Sequence, residues 1–209
     1  MNFAAARRAM VEGQLRVNRI SDPAVLDAFL TVPREMFVPR GVRGQAYGDG
    51  VLDVGGGRVL LSPLVLARLI SSAVIGPSDM VLAVGDVTGY AASILSRLAA
   101  FVVALDSEAD WPQRGSALFS REGIANVEAV RGALPRGYFV KAPYDVILVF
   151  GGVPEIPGAL QRQLADKGRL VAIERLGNGP GRGVMVLRSG DTWGRRTLFD
   201  AFVPPLPGF

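Results

Sequence analysis

Between Ser62 and Ile173 the chain alternates short apolar runs with helical segments. This pattern restricts the fold more than any other feature. Met80–Val84, Phe101–Leu105 and Val146–Phe150 are runs of consecutive apolar residues, and Val127–Val130 and Arg169–Ile173 read as further strands. Helical patterns fall at Pro63–Ile75, Gly89–Ala99 and Pro157–Leu164. Strands that are apolar without alternation must be buried on both faces, and a parallel sheet joined by crossover helices buries them so. The spacing therefore predicts an α/β fold with a doubly wound, mostly parallel sheet of Rossmann-like type. The tail reads differently: Gly183–Leu187 and Arg196–Phe202 flank Ser189-Gly190-Asp191, a hairpin signal that adds antiparallel strands.

Ahead of this pattern lies an extension. Ala6, Met10, Val11 and Leu15 recur at helical spacing, and Ser21-Asp22-Pro23 is a helix start, with a capping side chain before a first-turn proline, for a helix to about Leu30. The glycine-rich stretch Gly41–Arg58 reads as a loop. We divide the chain into residues 1–61, a helical and glycine-rich extension packed on the core, and 62–209, the Rossmann-like domain, within one structural unit.

Composition narrows the chemistry. The 209 residues contain no cysteine and no histidine. That excludes disulfides, Cys/His zinc sites, cysteine nucleophiles and histidine acid–base catalysis. No metal site is expected. The net charge of +4 comes from scattered arginines, with adjacent pairs only at Arg7-Arg8 and Arg195-Arg196. Nucleic acid is not an expected partner, because a binding footprint should cluster its charge. The longest apolar run, Leu98–Leu105, is far short of the roughly 20 residues of a spanning helix. No membrane association and a cytoplasmic location are the expectations.

Ligands of open α/β sheets sit outside the carboxyl ends of the strands. Two such ends carry suggestive residues. Gly85-Asp86-Val87-Thr88-Gly89 follows the first strand of the sheet, and Asp106 closes the next, about 20 residues on. Each has an ordinary reading, a plain strand-to-helix turn and an N-cap. Together they point to a nucleoside cofactor whose ribose hydroxyls Asp106 would accept. S-adenosylmethionine fits better than a dinucleotide, since it has no pyrophosphate and tolerates a less glycine-rich turn.

The chain also resembles the protein-L-isoaspartate O-methyltransferase family over nearly its whole length. The resemblance rests on Met10-Val11-Glu12, Ile20-Ser21-Asp22-Pro23, the run Val32-Pro33-Arg34-Glu35-Met36-Phe37-Val38-Pro39, Ala46-Tyr47-Gly48-Asp49, Ala142-Pro143-Tyr144-Asp145, Pro154-Glu155-Ile156-Pro157 and Phe202-Val203-Pro204. It implies methyl transfer from S-adenosylmethionine to the carboxyl of an isoaspartyl residue in a damaged protein or peptide. It also implies cofactor contacts from Gly85, Asp86, Val87, Thr88, Gly89, Asp106 and Ala133, and substrate contacts from Gly57 and Arg58.

The chain departs from the family pattern at the site. Where the family usually reads Gly-His-Gly-Gln-Thr-Ile-Ser-Gln-Pro, this chain has Gly55-Gly56-Gly57-Arg58-Val59-Leu60-Leu61-Ser62-Pro63. The family's hydroxyls become Val59 and Leu61, leaving Ser62 as the catalytic candidate. Val87 replaces a glycine, Ala83 an acidic residue, and Ala133 the aspartate that would accept the adenine amino group. At about 1 kcal/mol per lost hydrogen bond, these changes are expected to lower cofactor affinity about 10- to 100-fold or more. Asp86 adds a charge that could meet the cofactor's amino or sulfonium group. Arg58 is either a solvated loop arginine or the anchor for an anionic group of another acceptor. The alternative function is a non-catalytic protein of the same fold that binds a peptide, a ligand or a partner protein through the former cleft.

Overall fold

The computed structural model describes every residue except 176 and 178. Its centre is a seven-stranded sheet. Strands β3 (Met80–Val84), β4 (Phe101–Asp106), β5 (Val127–Arg131), β6 (Tyr144–Val153) and β7 (Leu164–Glu174) run parallel, and β8 (Gly181–Ser189) and β9 (Thr192–Ala201) close one edge antiparallel. The spatial order is β5-β4-β3-β6-β7-β8-β9. The chain therefore steps outward from β3 to β5 and then returns to the other side of β3. The switch point lies between β3 and β6.

Helices α3 (Pro63–Ala73), α4 (Tyr90–Leu95), α5 (Trp111–Arg121) and α6 (Gly158–Gln161) join the parallel strands or precede them. The expected Rossmann-like sheet with antiparallel tail strands is what the chain forms. The physical reason is visible in β3, β4 and β6, where Val81, Leu82, Val102, Val103, Val146 and Ile147 are all fully buried, with apolar clusters on both faces.

The extension holds α1 (Phe3–Met10), one π-helical turn over Val11–Leu15, and α2 (Pro23–Thr31). Asp22 caps α2 by accepting from the amides of Ala24 and Val25 at 2.9 and 3.4 Å, with Pro23 in the first turn. Met10, Leu15, Leu26 and Phe29 join the same buried cluster as Val81 and Val102.

The stretch Gly41–Arg58, expected as a loop, is more ordered than that. It contains a 3-10 segment at Arg40–Gln45 and the strand β1 (Leu52–Gly55), which pairs with β2 (Arg58–Leu60) in a small antiparallel hairpin. Gly55, Gly56 and Gly57 all take positive φ to turn it. Pro157–Leu164 was expected to be wholly helical, but the helix stops at Gln161 and Leu164 already pairs with Tyr144. β8 and β9 are longer than the hairpin pattern indicates.

Candidate functional site

β3 and β4 run in register, with Val84 beside Leu105, and the Gly85 amide donates to the Leu105 carbonyl at 2.9 Å. This brings Gly85 and Asp106 together, as the sequence pattern requires. Asp106 is fully buried. Its Oδ1 accepts from the Glu108 amide at 3.2 Å, which makes it a local turn-former rather than the cap of α5.

Both its oxygens are then taken by Arg58. Nη1 donates to Oδ1 at 3.0 Å and Nη2 to Oδ2 at 2.6 Å, while Nη2 also donates to the Gly85 carbonyl at 2.9 Å. Arg58 is 4% exposed. The reading of Arg58 as a solvated loop arginine is therefore corrected: its guanidinium is engaged by Asp106 and the Gly85 carbonyl. A guanidinium that leaves water at the start of β2 needs a carboxylate in reach, and Asp106 presents the matching two-oxygen fork.

Asp86 is turned inward too. Oδ1 accepts from the Thr88 hydroxyl at 3.0 Å and the Gly89 amide at 3.2 Å, and Oδ2 accepts from the Ala92 amide at 2.8 Å. Thr88 Oγ1 in turn accepts from the Tyr90 amide at 3.1 Å. The expectation that Asp86 faces a cofactor's amino or sulfonium group is thus corrected. The unpaired amides at the start of α4 lie within six residues of it and claim its oxygens first. Burial pushes the Asp86 carboxyl above its ordinary value of 3.8, against those three hydrogen bonds.

A raised value in the folded state means that the native chain binds the proton more readily than the unfolded one. The Asp86 contribution to stability therefore falls as pH rises from the ordinary carboxylate value through the folded one. Asp86→Asn, which keeps an acceptor but no charge, should gain on the wild type as pH rises across that window. Urea midpoints of the two proteins as a function of pH check this. A stability difference independent of pH would count against it.

The turn itself carries Gly85 and Gly89 at φ of 82° and 78°. Val87 between them is not in the left-handed region, so it takes the place of a glycine without backbone strain. Its carbonyl accepts from Arg114 Nη1 at 2.9 Å.

Over Gly85 lies the C-terminal tail. A Cβ added to Gly85 would stand 2.7 Å from Leu206 Cδ2, and one on Gly151 2.7 Å from Leu206 Cβ. The Leu206 amide donates to the Gly152 carbonyl at 2.7 Å, and the Pro204 carbonyl accepts from the Gly152 amide at 2.9 Å. The crevice at the switch point is thus filled by Leu206. Between Gly85, Asp86, Val59, Leu61 and Phe150 there remains a cavity of about 10 Å3, room for at most one water.

The open space is elsewhere. A cleft of about 790 Å3 lies between Met36–Pro39, the β1–β2 hairpin, Val87 and Thr88, and the face of α5 that carries Arg114, Ala117, Leu118 and Arg121. Arg58 lines it and Asp106 does not, so Arg58 stands between the cleft and the carboxylate. The α5 face was not foreseen as part of a site. Its i, i+3, i+4, i+7 spacing is readable in the sequence, but nothing local says that the face borders a cleft.

The remaining expected residues have structural partners of their own. Ser62 caps α3 by accepting from the Val65 amide at 3.4 Å and is nearly buried. Val59 pairs with Asp53 across the hairpin. Leu61 is buried and its carbonyl accepts from Arg34 Nη2 at 2.6 Å. Gly57 is an exposed hairpin residue, and Ala133 is exposed beyond β5. Ala83 is a core residue. Among the described residues no group of three or more Asp and Glu side chains is placed to hold a metal ion, and no helix is long and apolar enough to cross a membrane.

The fold and the paired strand ends define a Rossmann-like domain of the methyltransferase type. Comparison with known proteins makes this specific. The family model described as Protein-L-isoaspartate(D-aspartate) O-methyltransferase matches residues 5–179, and the chain belongs to that family. It is 38% identical over 213 residues to the protein-L-isoaspartate O-methyltransferase of Roseiflexus sp. (strain RS-1), covering 100% of this chain and 94% of that one. It is 42% identical over 168 residues to that of Methylorubrum extorquens (strain PA1), covering 80% and 73%. A solved protein-L-isoaspartate O-methyltransferase superposes with a TM-score of 0.85 at 25% identity, over 97% of this chain and 66% of that chain. A Plasmodium falciparum chain solved with S-adenosyl-L-homocysteine superposes with a TM-score of 0.81 over 100% of both chains; at 18% identity this likeness concerns the fold alone.

Proposed function

We propose that this chain transfers a methyl group from S-adenosylmethionine to the free carboxyl of isoaspartyl residues in protein substrates. The observation that carries the reading is the family match, which spans residues 5–179 and extends at 38% identity over the whole chain. The chemistry suits a chain without histidine. The acceptor carboxyl has an ordinary pKa of about 3.5 and is ionised at neutral pH, so no general base is needed. What the protein must supply is orientation and exclusion of water. We assign the acceptor to the cleft, where Phe37, Val38, Pro39 and Leu118 offer apolar wall and Arg114 and Arg121 offer positive charge.

In this conformation the chain's own side chains occupy the positions the donor would take. Asp106, the residue that would take its ribose hydroxyls, has both oxygens bonded to Arg58, and Leu206 fills the space over Gly85. The Ala133 side chain offers no acceptor for an adenine amino group, and its carbonyl already accepts from the Arg136 amide.

Incubation of the chain with radiolabelled S-adenosylmethionine and paired isoaspartyl and aspartyl peptides tests the proposal. Base-labile label should enter the isoaspartyl peptide alone. No incorporation at millimolar donor would sink it. Peptide binding without transfer would instead leave the binding-protein alternative in place.

A further inference from the structure

The buried ion pair between Arg58 and Asp106 has a consequence for ligand binding, and it rests on the reading of the site as one for an S-adenosyl donor. We propose that Arg58 is a built-in occupant of that site, and that its release from Asp106 sets the chain's affinity for the donor. A ribose presents two adjacent hydroxyl donors, and a carboxylate at the end of β4 can accept both. Arg58 presents two N–H donors in a fixed fork to the same two oxygens, at 3.0 and 2.6 Å.

Asp106 has little capacity left over, because Oδ1 also accepts from the Glu108 amide. Arg58 is held at a third point by the Gly85 carbonyl, on the turn that the rest of the donor would contact. The arginine therefore blocks the acceptor and the turn together. It also has somewhere to go. Arg58 lines the open cleft of about 790 Å3, on whose wall Glu108 stands without an ion-pair partner among the described residues.

Binding then requires a buried bidentate pair to be broken first. A penalty of that kind lowers a binding constant by about two orders of magnitude or more. Among the changed residues at the site, Arg58, rather than the missing hydroxyls at Val59 and Leu61, then has the larger effect on donor affinity, on top of whatever Leu206 over Gly85 costs in wild type and variants alike.

The test is calorimetric titration of the full chain with S-adenosyl-L-homocysteine, comparing wild type with Arg58→Gln and Arg58→Lys. Arg58→Gln should tighten binding about 100-fold. Arg58→Lys should tighten it less, since one ammonium cannot span both oxygens and the Gly85 carbonyl. Equal or weaker binding in both variants would overturn the proposal. Should Arg58→Gln fail to fold, Arg58→Lys keeps the charge opposite Asp106 and carries the test alone. The outcome is separable from that of the proposed reaction. Tight binding by the variants with no methyl transfer leaves this inference standing and sinks the reaction. Active transfer with unchanged binding does the reverse.

Discussion

Replacing Asp106 with leucine should cost about 3–5 kcal/mol of stability, the scale of a buried pair broken on one side. The loss comes less from the missing bond than from the charge left behind. Arg58 is 4% exposed, and without Asp106 its two Nη groups face only the Gly85 carbonyl. Arg58→Met alone should cost a similar amount, because Asp106 is then buried with only the Glu108 amide beside it. The double variant should be much milder than the sum, within about 2 kcal/mol of the wild type, since an apolar pair of similar volume restores the balance. Urea unfolding of the four proteins at neutral pH closes the cycle. Additive losses would show that the two side chains do not depend on each other and would undercut the closed site described above.

Arg34→Met should be comparably severe, for a different reason. Arg34 is fully buried, with Nε donating to the Ala46 carbonyl and Nη2 to the Leu61 carbonyl, both at 2.6 Å, and its guanidinium lies 5.0 Å from the centre of the Tyr90 ring. Burial pulls its pKa down. The side chain ties the segment before β1 to the junction of β2 and α3, and so supports the element that carries Arg58. Methionine fills much of the volume but leaves two carbonyls unpaired. At roughly 1.5–3 kcal/mol per bond to a charged group, the loss is about 3–6 kcal/mol. For a chain of this length that lowers Tm by about 10 °C. Arg34→Lys should recover little, because one ammonium cannot reach both carbonyls at once. Thermal melts of the two variants decide it, and a Tm near that of the wild type in either would refute this account of Arg34.

Both predictions concern arginines whose surroundings are non-local. Arg58 reads, in its own segment, as the first residue after three glycines, which suggests solvent. Its partner lies 48 positions away. Leu206 on Gly85 is the same case at greater separation: the tail pattern Pro204-Pro205-Leu206 says nothing of a crevice between β3 and β6. Asp86 differs, because its oxygens' partners are Thr88, Gly89 and Ala92, all within six residues of it. That capping role was legible, and the likeness to a cofactor turn drew attention away from it.

The sequence by itself determined the parallel sheet, the alternation of its strands with helices and the meeting of Gly85 with Asp106, because these follow from local apolar periodicity and from strand ends in register, and it determined the family through motifs spread along the chain. Only the tertiary structure decided what those ends face. A carboxylate at the end of β4 can accept two donors from a ribose or from an arginine, and which one it meets depends on where the β1–β2 hairpin and the C-terminal tail come to rest.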